Sequence, residues 1–115
     1  MAKSCIFCRI AAGEFGTAFI HEDDVCVAFH DLKPQAPTHV LLIPRRHIDS
    51  IVATSPSDQA MLGHLLSVAT RVAEQLGVGE RGFRLVINSG PDGGQSVDHL
   101  HVHILGGRAM AWPPG

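Results

Sequence analysis

The sequence predicts an α+β fold in which a five-stranded, mostly antiparallel sheet packs against one long and one short helix. The strand-like segments cluster in hairpins instead of alternating with helices, and clustered strands favour antiparallel pairing. One segment, residues 55–77, carries apolar residues at helical spacing over several turns. A chain of 115 residues buries enough surface for one ordinary core, so we expect a single domain over residues 1–115.

The N-terminal half predicts a short helix followed by three strands. A turn that carries two cysteines opens the chain, and the short helix after it ends near Gly13. Residues 17–21 and 25–31 are rich in β-forming side chains and flank a turn at 22–24, which is typical of a hairpin. After a proline-punctuated loop, the apolar run at 39–44 has the length of a strand and ends at its own proline.

The C-terminal half predicts the long helix and two further strands. Ser55 or Ser57 can cap the helix, and Gly77 is placed to end it. Residues 82–90 predict a strand, a glycine-rich loop follows, and residues 98–105 alternate strictly between polar and apolar side chains, as a half-buried strand does. The apolar stripe of the helix consists of Met61, Leu65, Val68, Ala69, Val72 and Leu76.

Composition argues against several classes of protein. The formal charge is −2 at pH 7, so we expect no general attraction to nucleic acids or to acidic membranes. No apolar run approaches the roughly 20 residues that cross a bilayer, and the N-terminus has no signal-peptide pattern. Three cysteines are an odd number, which argues against a disulfide framework and favours a reducing, cytoplasmic location.

The most informative segment is "DHLHVHILGG" at residues 98–107. Alternation sends His99, His101 and His103 to one face of the predicted strand and apolar residues to the other. A single histidine there would indicate only the wetter face of a sheet, but nothing structural demands three in succession. The first and the last lie about 13 Å apart along a straight strand, whereas zinc–nitrogen bonds are only about 2 Å long. We therefore expect the three imidazoles to divide their roles instead of sharing one metal.

The preceding loop, "GPDGGQS" at residues 90–96, indicates what those roles are. Gly93 and Gly94 allow close backbone approach, and successive N–H groups in such a loop form an anion-binding concavity. Ser96 adds a hydroxyl. Alone, the loop indicates no more than a turn. Beside a row of imidazoles it predicts a phosphate site, in which histidine acts as nucleophile and as acid.

These residues resemble the histidine triad (HIT) superfamily of nucleotide hydrolases and transferases. "HLHVHIL" fits its His-x-His-x-His-x-x pattern with apolar x, and "DGGQSVDHLHVHILGGRAMAWPPG" resembles its histidine triad nucleotide-binding (Hint) branch, the nucleoside phosphoramidases. "HDLKPQAPTHVLLIPRRHI" is similar to the same branch, so the resemblance covers almost the whole chain. It implies a HIT-like fold, a homodimer whose sheets join, and hydrolysis of purine nucleoside 5′-phosphoramidates of the adenosine 5′-monophosphoramidate type.

The resemblance also implies roles for single residues. His101 matches the nucleophile, whose Nε2 attacks the α-phosphorus to give a nucleotidyl-histidine that water then hydrolyses. His103 matches the residue that contacts the phosphate and stabilises its charge or donates a proton. Ser96 matches a residue on the leaving-group side, and His39 a further histidine near the triad. The residues implied to contact the purine nucleotide are Ile6, Phe7, Ile10, Phe29 and Leu32 at the base, Asp31 at the ribose, Asn88, Gly94, Gln95, Ser96, Val97, His101 and His103 at the phosphate, and Trp112 in a tail that reaches the partner subunit's site.

Cys5 and Cys8 form a C-x-x-C motif, which on its own fits a redox pair, half of a metal site or a chance spacing. The resemblance favours a metal, because some family members, bacterial ones in particular, bind zinc with both cysteines, the histidine of "RRHI" and the first triad histidine. Here these are Cys5, Cys8, His47 and His99, a Cys2His2 set that suits structural zinc. No cofactor is implied for the chemistry itself.

Three other interpretations stay open at the level of sequence. A dinucleoside polyphosphate hydrolase of another HIT branch shares the triad, although the "WPPG" end argues against it. A nucleotide-binding regulatory module would keep the site with little catalysis. A metal-centred protein would use the histidines as ligands.

A few residues fall outside these assignments. His21, His30 and His64 are expected to be structural or solvent-facing, and Cys26 to be an inert buried thiol among apolar neighbours. Asp98 departs from the resemblance, because an aromatic residue is often found there. The departure leaves the triad intact and affects only the shape of the phosphate rim.

Overall fold

The α+β prediction is confirmed by the computed structural model, which describes residues 4–115. The described residues form one five-stranded sheet in the order β1-β2-β3-β5-β4, and every neighbouring pair is antiparallel. In chain order the helices and strands are α1 (Ile6–Ala11), β1 (His21–Glu22), β2 (Cys26–His30), β3 (Thr38–Pro44), α2 (Gln59–Gln75), β4 (Phe83–Val86) and β5 (Val102–Gly106).

The sheet is buried on both faces, because alternate side chains of β3 pack against different helices. Val40 and Leu42 belong to the core around α2, whereas Leu41 and Ile43 belong to the core around α1. All four side chains are buried. Two covered faces explain why β3 is a continuous apolar run, where a half-exposed strand would alternate. The helices contribute Leu65, Val68, Ala69, Val72 and Ala73 from α2, and Phe7 and Ala11 from α1.

The predicted strand over residues 98–105 is wrong in its first half, because β5 begins only at Val102. The His99 N–H donates to the carbonyl of Val97 at 2.9 Å, and the Leu100 N–H donates to the carbonyl of Ile48 at 2.7 Å. These bonds direct the backbone away from the sheet ladder. As a result, only the last triad histidine lies in the strand, and the first two lie on the turn that leads into it.

The first and fourth strands are also shorter than predicted. The register pairs His21 with Ala28, so residues 17 and 18 extend past the end of β2 and have no partner strand. β4 ends at Val86, and residues 87–90 already belong to the approach to the glycine-rich loop. Their predicted identity as strands is correct, and only their ends differ.

The long helix begins and ends where the sequence predicts. Ser55 forms a capping box with Asp58 over one 3-10 turn, Pro56–Asp58, and α2 follows directly. Gly77 has φ of 80° at the other end, a conformation that glycine adopts without the penalty of a Cβ. No helix in residues 4–115 combines the length and the hydropathy needed to cross a bilayer.

Gly106 is the point where the sheet and the chain after α2 approach most closely, and we predict that Gly106→Ala destabilises the protein. Gly106 pairs with Thr38 on one side and Phe83 on the other. A Cβ there would lie 2.8 Å from the Cβ of Val78, a stiff β-branched side chain. Overpacking of this kind costs about 1–3 kcal/mol, measurable as a lower free energy of unfolding in urea.

Gly63→Ala is the matched control, because a Cβ at this exposed position in α2 meets nothing within 4 Å. It should stabilise the helix by about 0.5–1 kcal/mol. Equal effects of the two substitutions would contradict the packing argument.

Candidate functional site

His101 is buried, and its tautomer is fixed by the backbone of the turn that carries it. Its Nδ1 lies 2.7 Å from the carbonyl oxygen of His99. A carbonyl can only accept, so Nδ1 carries the proton and donates it. Nε2 is then left with its lone pair, which is the form of imidazole that acts as a nucleophile. The ring is 3% exposed and packs edge-on against Phe7, with the ring centroids 5.1 Å apart.

His39 and His103 are linked by hydrogen bonds in which each donor and each acceptor can be assigned. The Gln35 N–H donates to Nδ1 of His39 at 3.0 Å, so the proton of His39 is on Nε2. Nε2 of His39 donates to Nδ1 of His103 at 2.9 Å and lies 3.5 Å from Oδ2 of Asp31. Because Nδ1 of His103 accepts, its Nε2 carries a proton that is available to a ligand.

Burial keeps the imidazoles of His39, His99 and His103 neutral. It is the main cause that lowers the pKa of His103 to about 4, with further lowering by His101 and His39. Burial also lowers the pKa of His39, against an opposing effect of Asp31, and the pKa of His99. At pH 7 His39, His99 and His103 therefore offer N–H dipoles and lone pairs instead of fixed imidazolium charges.

The glycine-rich loop is held in one conformation by the side chain of Gln95. Its Oε1 accepts from the Gly90 N–H at 3.0 Å, and its Nε2 donates to the carbonyls of Asp49 and Val97 at 2.6 and 2.9 Å. Both polar groups of this side chain are thus used inside the protein. The resemblance implies a phosphate contact for Gln95, whereas this bracing role follows only from the folded loop.

Glycine is required in the loop at Gly93, where a Cβ would lie 2.4 Å from the carbonyl oxygen of Ser89. Gly94 has φ of 78°, a left-handed conformation that side chains disfavour. Ser96, at the end of the loop, is exposed and lines a cavity beside Cys5 and His47. Its hydroxyl therefore faces solvent.

An apolar cavity of about 330 Å³ lies beside the triad, between α1 and the end of β2. Its lining includes all six residues predicted for the base and the ribose, namely Ile6, Phe7, Ile10, Phe29, Asp31 and Leu32. Four further lining residues were missed, namely Thr17, His30, Lys33 and Leu41. Leu41 carried a usable signal, because it pairs with Phe29 across β2 and β3. Leu32 is 97% exposed at the rim.

Asn88 and Trp112 do not line this cavity. Asn88 is half-buried two residues after β4. Trp112 is 82% exposed in the C-terminal tail, where the Arg84 guanidinium donates to the carbonyl of Ala111 at 2.9 Å. Trp112 therefore stays separate from the triad within this chain.

A second cluster brings together the two cysteines of the C-x-x-C motif and two histidines. Cys5 caps α1 and accepts from the Cys8 N–H, so one helical turn places both sulfurs on the same side. The donor atoms of Cys5, Cys8, His47 and His99 all lie within 4.8 Å of one another. Sequence spacing did not reveal this proximity, because the residues come from three separate segments.

Both histidines of this Cys2His2 cluster present a lone pair to the sulfurs. Nε2 of His47 donates to Asp49 at 2.7 Å and Nε2 of His99 donates to the Pro44 carbonyl at 2.8 Å, so in the neutral form of each ring the lone pair is on Nδ1. Outer hydrogen bonds of this kind orient histidine ligands in metal sites.

The distances within the cluster fit a tetrahedral ion. The Nδ1–Sγ distances are 3.3 Å for His47 to Cys8, 3.3 Å for His99 to Cys5 and 3.5 Å for His99 to Cys8. Bond lengths of zinc to sulfur and nitrogen give about 3.5 Å for such an edge. Burial and the neighbouring Cys5 raise the pKa of the Cys8 thiol to about 11, so a cation is needed to hold this sulfur as a thiolate at neutral pH.

A third group of donors, Asp31, His39 and His103, also lies within 4.8 Å. The Gln35 N–H holds the lone pair of His39 on Nδ1 and thereby keeps a proton on the nitrogen that faces His103. A metal there would have to displace that proton with no acceptor for it at Nδ1. The geometry thus favours hydrogen bonding over metal binding at this position.

Comparisons with known proteins agree with this arrangement. The HIT domain family is matched over residues 12–110. An uncharacterized HIT-like protein from Synechocystis is 54% identical over 115 residues, which cover 100% of both chains. A HIT family hydrolase from Legionella pneumophila has a TM-score of 0.94 and 46% identity over 97% of this chain and 100% of its own.

A more distant solved structure is a histidine triad nucleotide-binding protein from Candida albicans. Its TM-score is 0.81, with 31% sequence identity, and the match covers 96% of this chain and 83% of its own. The family match spans most of the chain, and the Synechocystis relative is similar from end to end. The chain therefore belongs to the HIT domain family.

Proposed function

We propose that the protein hydrolyses purine nucleoside 5′-phosphoramidates through a nucleotidyl-His101 intermediate. The observation that carries the proposal is the tautomer of His101, whose Nδ1 proton is donated to His99 and whose Nε2 lone pair is free. The nucleophile is thus prepared without a separate base.

The reaction proceeds in two displacements at phosphorus. Nε2 of His101 forms a bond to the α-phosphorus as the P–N bond breaks, and the amine leaves with one proton taken from solvent. Water then attacks the same phosphorus and returns one proton to solvent, the N–P bond to His101 breaks, and the nucleoside monophosphate is released. Nε2–H of His103 donates to the phosphoryl oxygen that gains charge in both steps, and Ser96 hydrogen-bonds on the leaving-group side.

The apolar cavity supports binding of the nucleoside half of this substrate. Phe7 lines the cavity and also packs against His101, so the base and the nucleophile are positioned by the same ring. Oδ1 of Asp31 accepts from the Lys33 N–H at 2.7 Å, which orients the carboxylate to accept from the ribose hydroxyls. The nucleotide-binding relative from Candida albicans supports the same assignment.

The Cys2His2 cluster is proposed to hold a structural zinc ion that takes no part in the chemistry. When bound, the ion would be held by Cys5, Cys8, His47 and His99 and would supply a cross-link between α1 and two loops. Its effect on catalysis is indirect, since the carbonyl of His99 fixes the proton of His101.

Two features support a homodimer. β4 is at an edge of the sheet, where a second sheet can continue it, and the exposed Trp112 is a side chain of the type that anchors interfaces. In the proposed dimer the Trp112 tail contacts the partner's site, and each chain is a single HIT domain.

The proposed function predicts that His101→Ala abolishes turnover and keeps nucleotide affinity. Removing a nucleophile reduces kcat by on the order of 10³-fold or more, whereas the cavity for the nucleoside is unchanged. Single-turnover hydrolysis of adenosine 5′-monophosphoramidate and calorimetric binding of AMP measure the two effects. In the unsubstituted protein, mass spectrometry of a rapidly quenched reaction should locate an added nucleotidyl group on His101. Turnover equal to that of the unsubstituted protein would refute the proposal.

Substrate preference separates the phosphoramidase from its alternatives. We expect adenosine 5′-monophosphoramidate to be hydrolysed faster than diadenosine triphosphate, as judged by kcat/KM. The reverse order would assign the protein to the dinucleoside polyphosphate hydrolases, and binding without turnover of either compound would indicate a regulatory module.

Metal removal tests the structural role of the zinc. Chelation should lower the melting temperature, because ions that bind only the folded state stabilise it. Turnover should persist at temperatures where circular dichroism shows the chelated protein to be folded. Complete loss of turnover in a folded, undissociated protein would show that the metal takes part in the chemistry.

A further inference from the structure

A further cluster of metal-ligating side chains, separate from the three groups described above, lies where the β1–β2 turn meets α2. It consists of His21 in β1, Asp23 in the turn, Cys26 at the start of β2 and His64 in α2. The sequence predicted a structural or solvent-facing role for both histidines and an inert one for the thiol.

Asp23 is the centre of this cluster, and its carboxylate is held in a fixed orientation. Oδ1 accepts from the N–H groups of Val25 and Cys26 at 2.7 and 2.9 Å. Oδ2 is thereby directed at the side chains, with Nε2 of His21 and Nε2 of His64 both at 2.8 Å and Sγ of Cys26 at 3.6 Å. Three potential ligand residues therefore meet within positions 21–26, and His64 of α2, 41 positions after Asp23, reaches the same carboxylate oxygen.

The two histidines are free to change tautomer, in contrast to His39. As long as Nε2 donates to Asp23 it offers no lone pair. Within residues 4–115, however, Nδ1 of His21 and Nδ1 of His64 have no hydrogen-bond partner in the protein, so each proton can move to the solvent side. The side chains of His21, Asp23 and His64 are 30%, 28% and 40% exposed, which gives an ion access from solvent.

We propose that His21, Asp23, Cys26 and His64 form a second metal site for a borderline divalent ion, with Zn²⁺ as the occupant. The donor atoms of the first three residues lie within 4.8 Å of one another. For tetrahedral zinc the edge between a thiolate and a carboxylate oxygen is about 3.5 Å, close to the 3.6 Å between Cys26 and Asp23. His64 completes the set by a small rotation of its half-exposed ring.

Every proton can be accounted for when Zn²⁺ binds at this site. Each histidine keeps one proton, moved from Nε2 to Nδ1 by exchange with water, and Asp23 binds as the carboxylate. The Cys26 thiol loses its proton to solvent, so one proton is released for each ion bound. The ion would tie the β1–β2 turn to α2, which the hydrogen bond between Asp23 and His64 already joins.

The test compares Asp23→Asn with Asp24→Asn. Asparagine at position 23 keeps the oxygen that accepts from the two backbone N–H groups and loses the anionic ligand, while Asp24 is an exposed neighbour outside the cluster. Equilibrium dialysis against Zn²⁺ with elemental analysis should find one ion fewer per chain in Asp23→Asn and no loss in Asp24→Asn. Equal zinc content of Asp23→Asn and the unsubstituted protein overturns the proposal and leaves a hydrogen-bonded contact only.

Zinc bound by the Cys2His2 cluster does not obscure this test. The proposal depends on the difference of one zinc ion per chain between the variant and the unsubstituted protein, and not on the total zinc content. Cys8→Ser removes its own ion whether or not Asp23 binds one. His64→Gln serves as the second variant, in which the dissociation constant of the ion at Asp23 should rise by at least about tenfold. An unchanged constant in His64→Gln would remove His64 from the site and contradict the four-ligand assignment.

Discussion

The hydrogen bond from Nδ1 of His101 to the carbonyl of His99 is the interaction on which the proposed chemistry depends. It exists only because the backbone at residues 98–101 turns away from the sheet before β5 begins. In a regular strand that carbonyl would point to a neighbouring strand. The departure from ideal secondary structure is therefore what prepares the nucleophile.

His99 is the residue through which the parts of the site communicate. Its Nε2 donates to Pro44 at the end of β3, its Nδ1 faces the two cysteines, and its carbonyl accepts from His101. One fully buried residue, through its ring and its backbone carbonyl, thus joins the sheet, the Cys2His2 cluster and His101. α1 has a comparable double role, since it holds Cys8 and its cap Cys5 and, through Phe7, forms one wall of the apolar cavity.

Much of this arrangement could be predicted from local sequence, because local physics determines it. The cap at Ser55, the stop at Gly77 and the apolar run of β3 each follow from neighbouring residues. The turn at residues 98–101 could not be predicted in the same way, since its bond to Ile48 reaches a residue some fifty positions away. Alternation of histidine with apolar residues predicts a strand even where, as at residues 98–101, the backbone has no neighbouring strand to pair with.

The same limit applies to residues whose role depends on what the fold brings near them. Gln95 matches a phosphate contact by position, but its amide braces the loop. Asp23 and His64 have no pattern in common, and only the packing of α2 on the sheet brings them within 2.8 Å. By contrast, the six residues predicted for the base and the ribose do line one cavity, and they could be named together because the resemblance already contained three-dimensional information.

The bracing by Gln95 has a consequence for the energetics of ligand capture. An unbraced glycine-rich loop loses conformational entropy when it closes around an anion, and that loss reduces the net affinity. Here three hydrogen bonds from one side chain order the loop during folding, before any ligand arrives. At the proposed phosphate site an anion would meet a preformed surface, so discrimination between ligands would arise from the fit of their atoms and not from how well each one orders the chain.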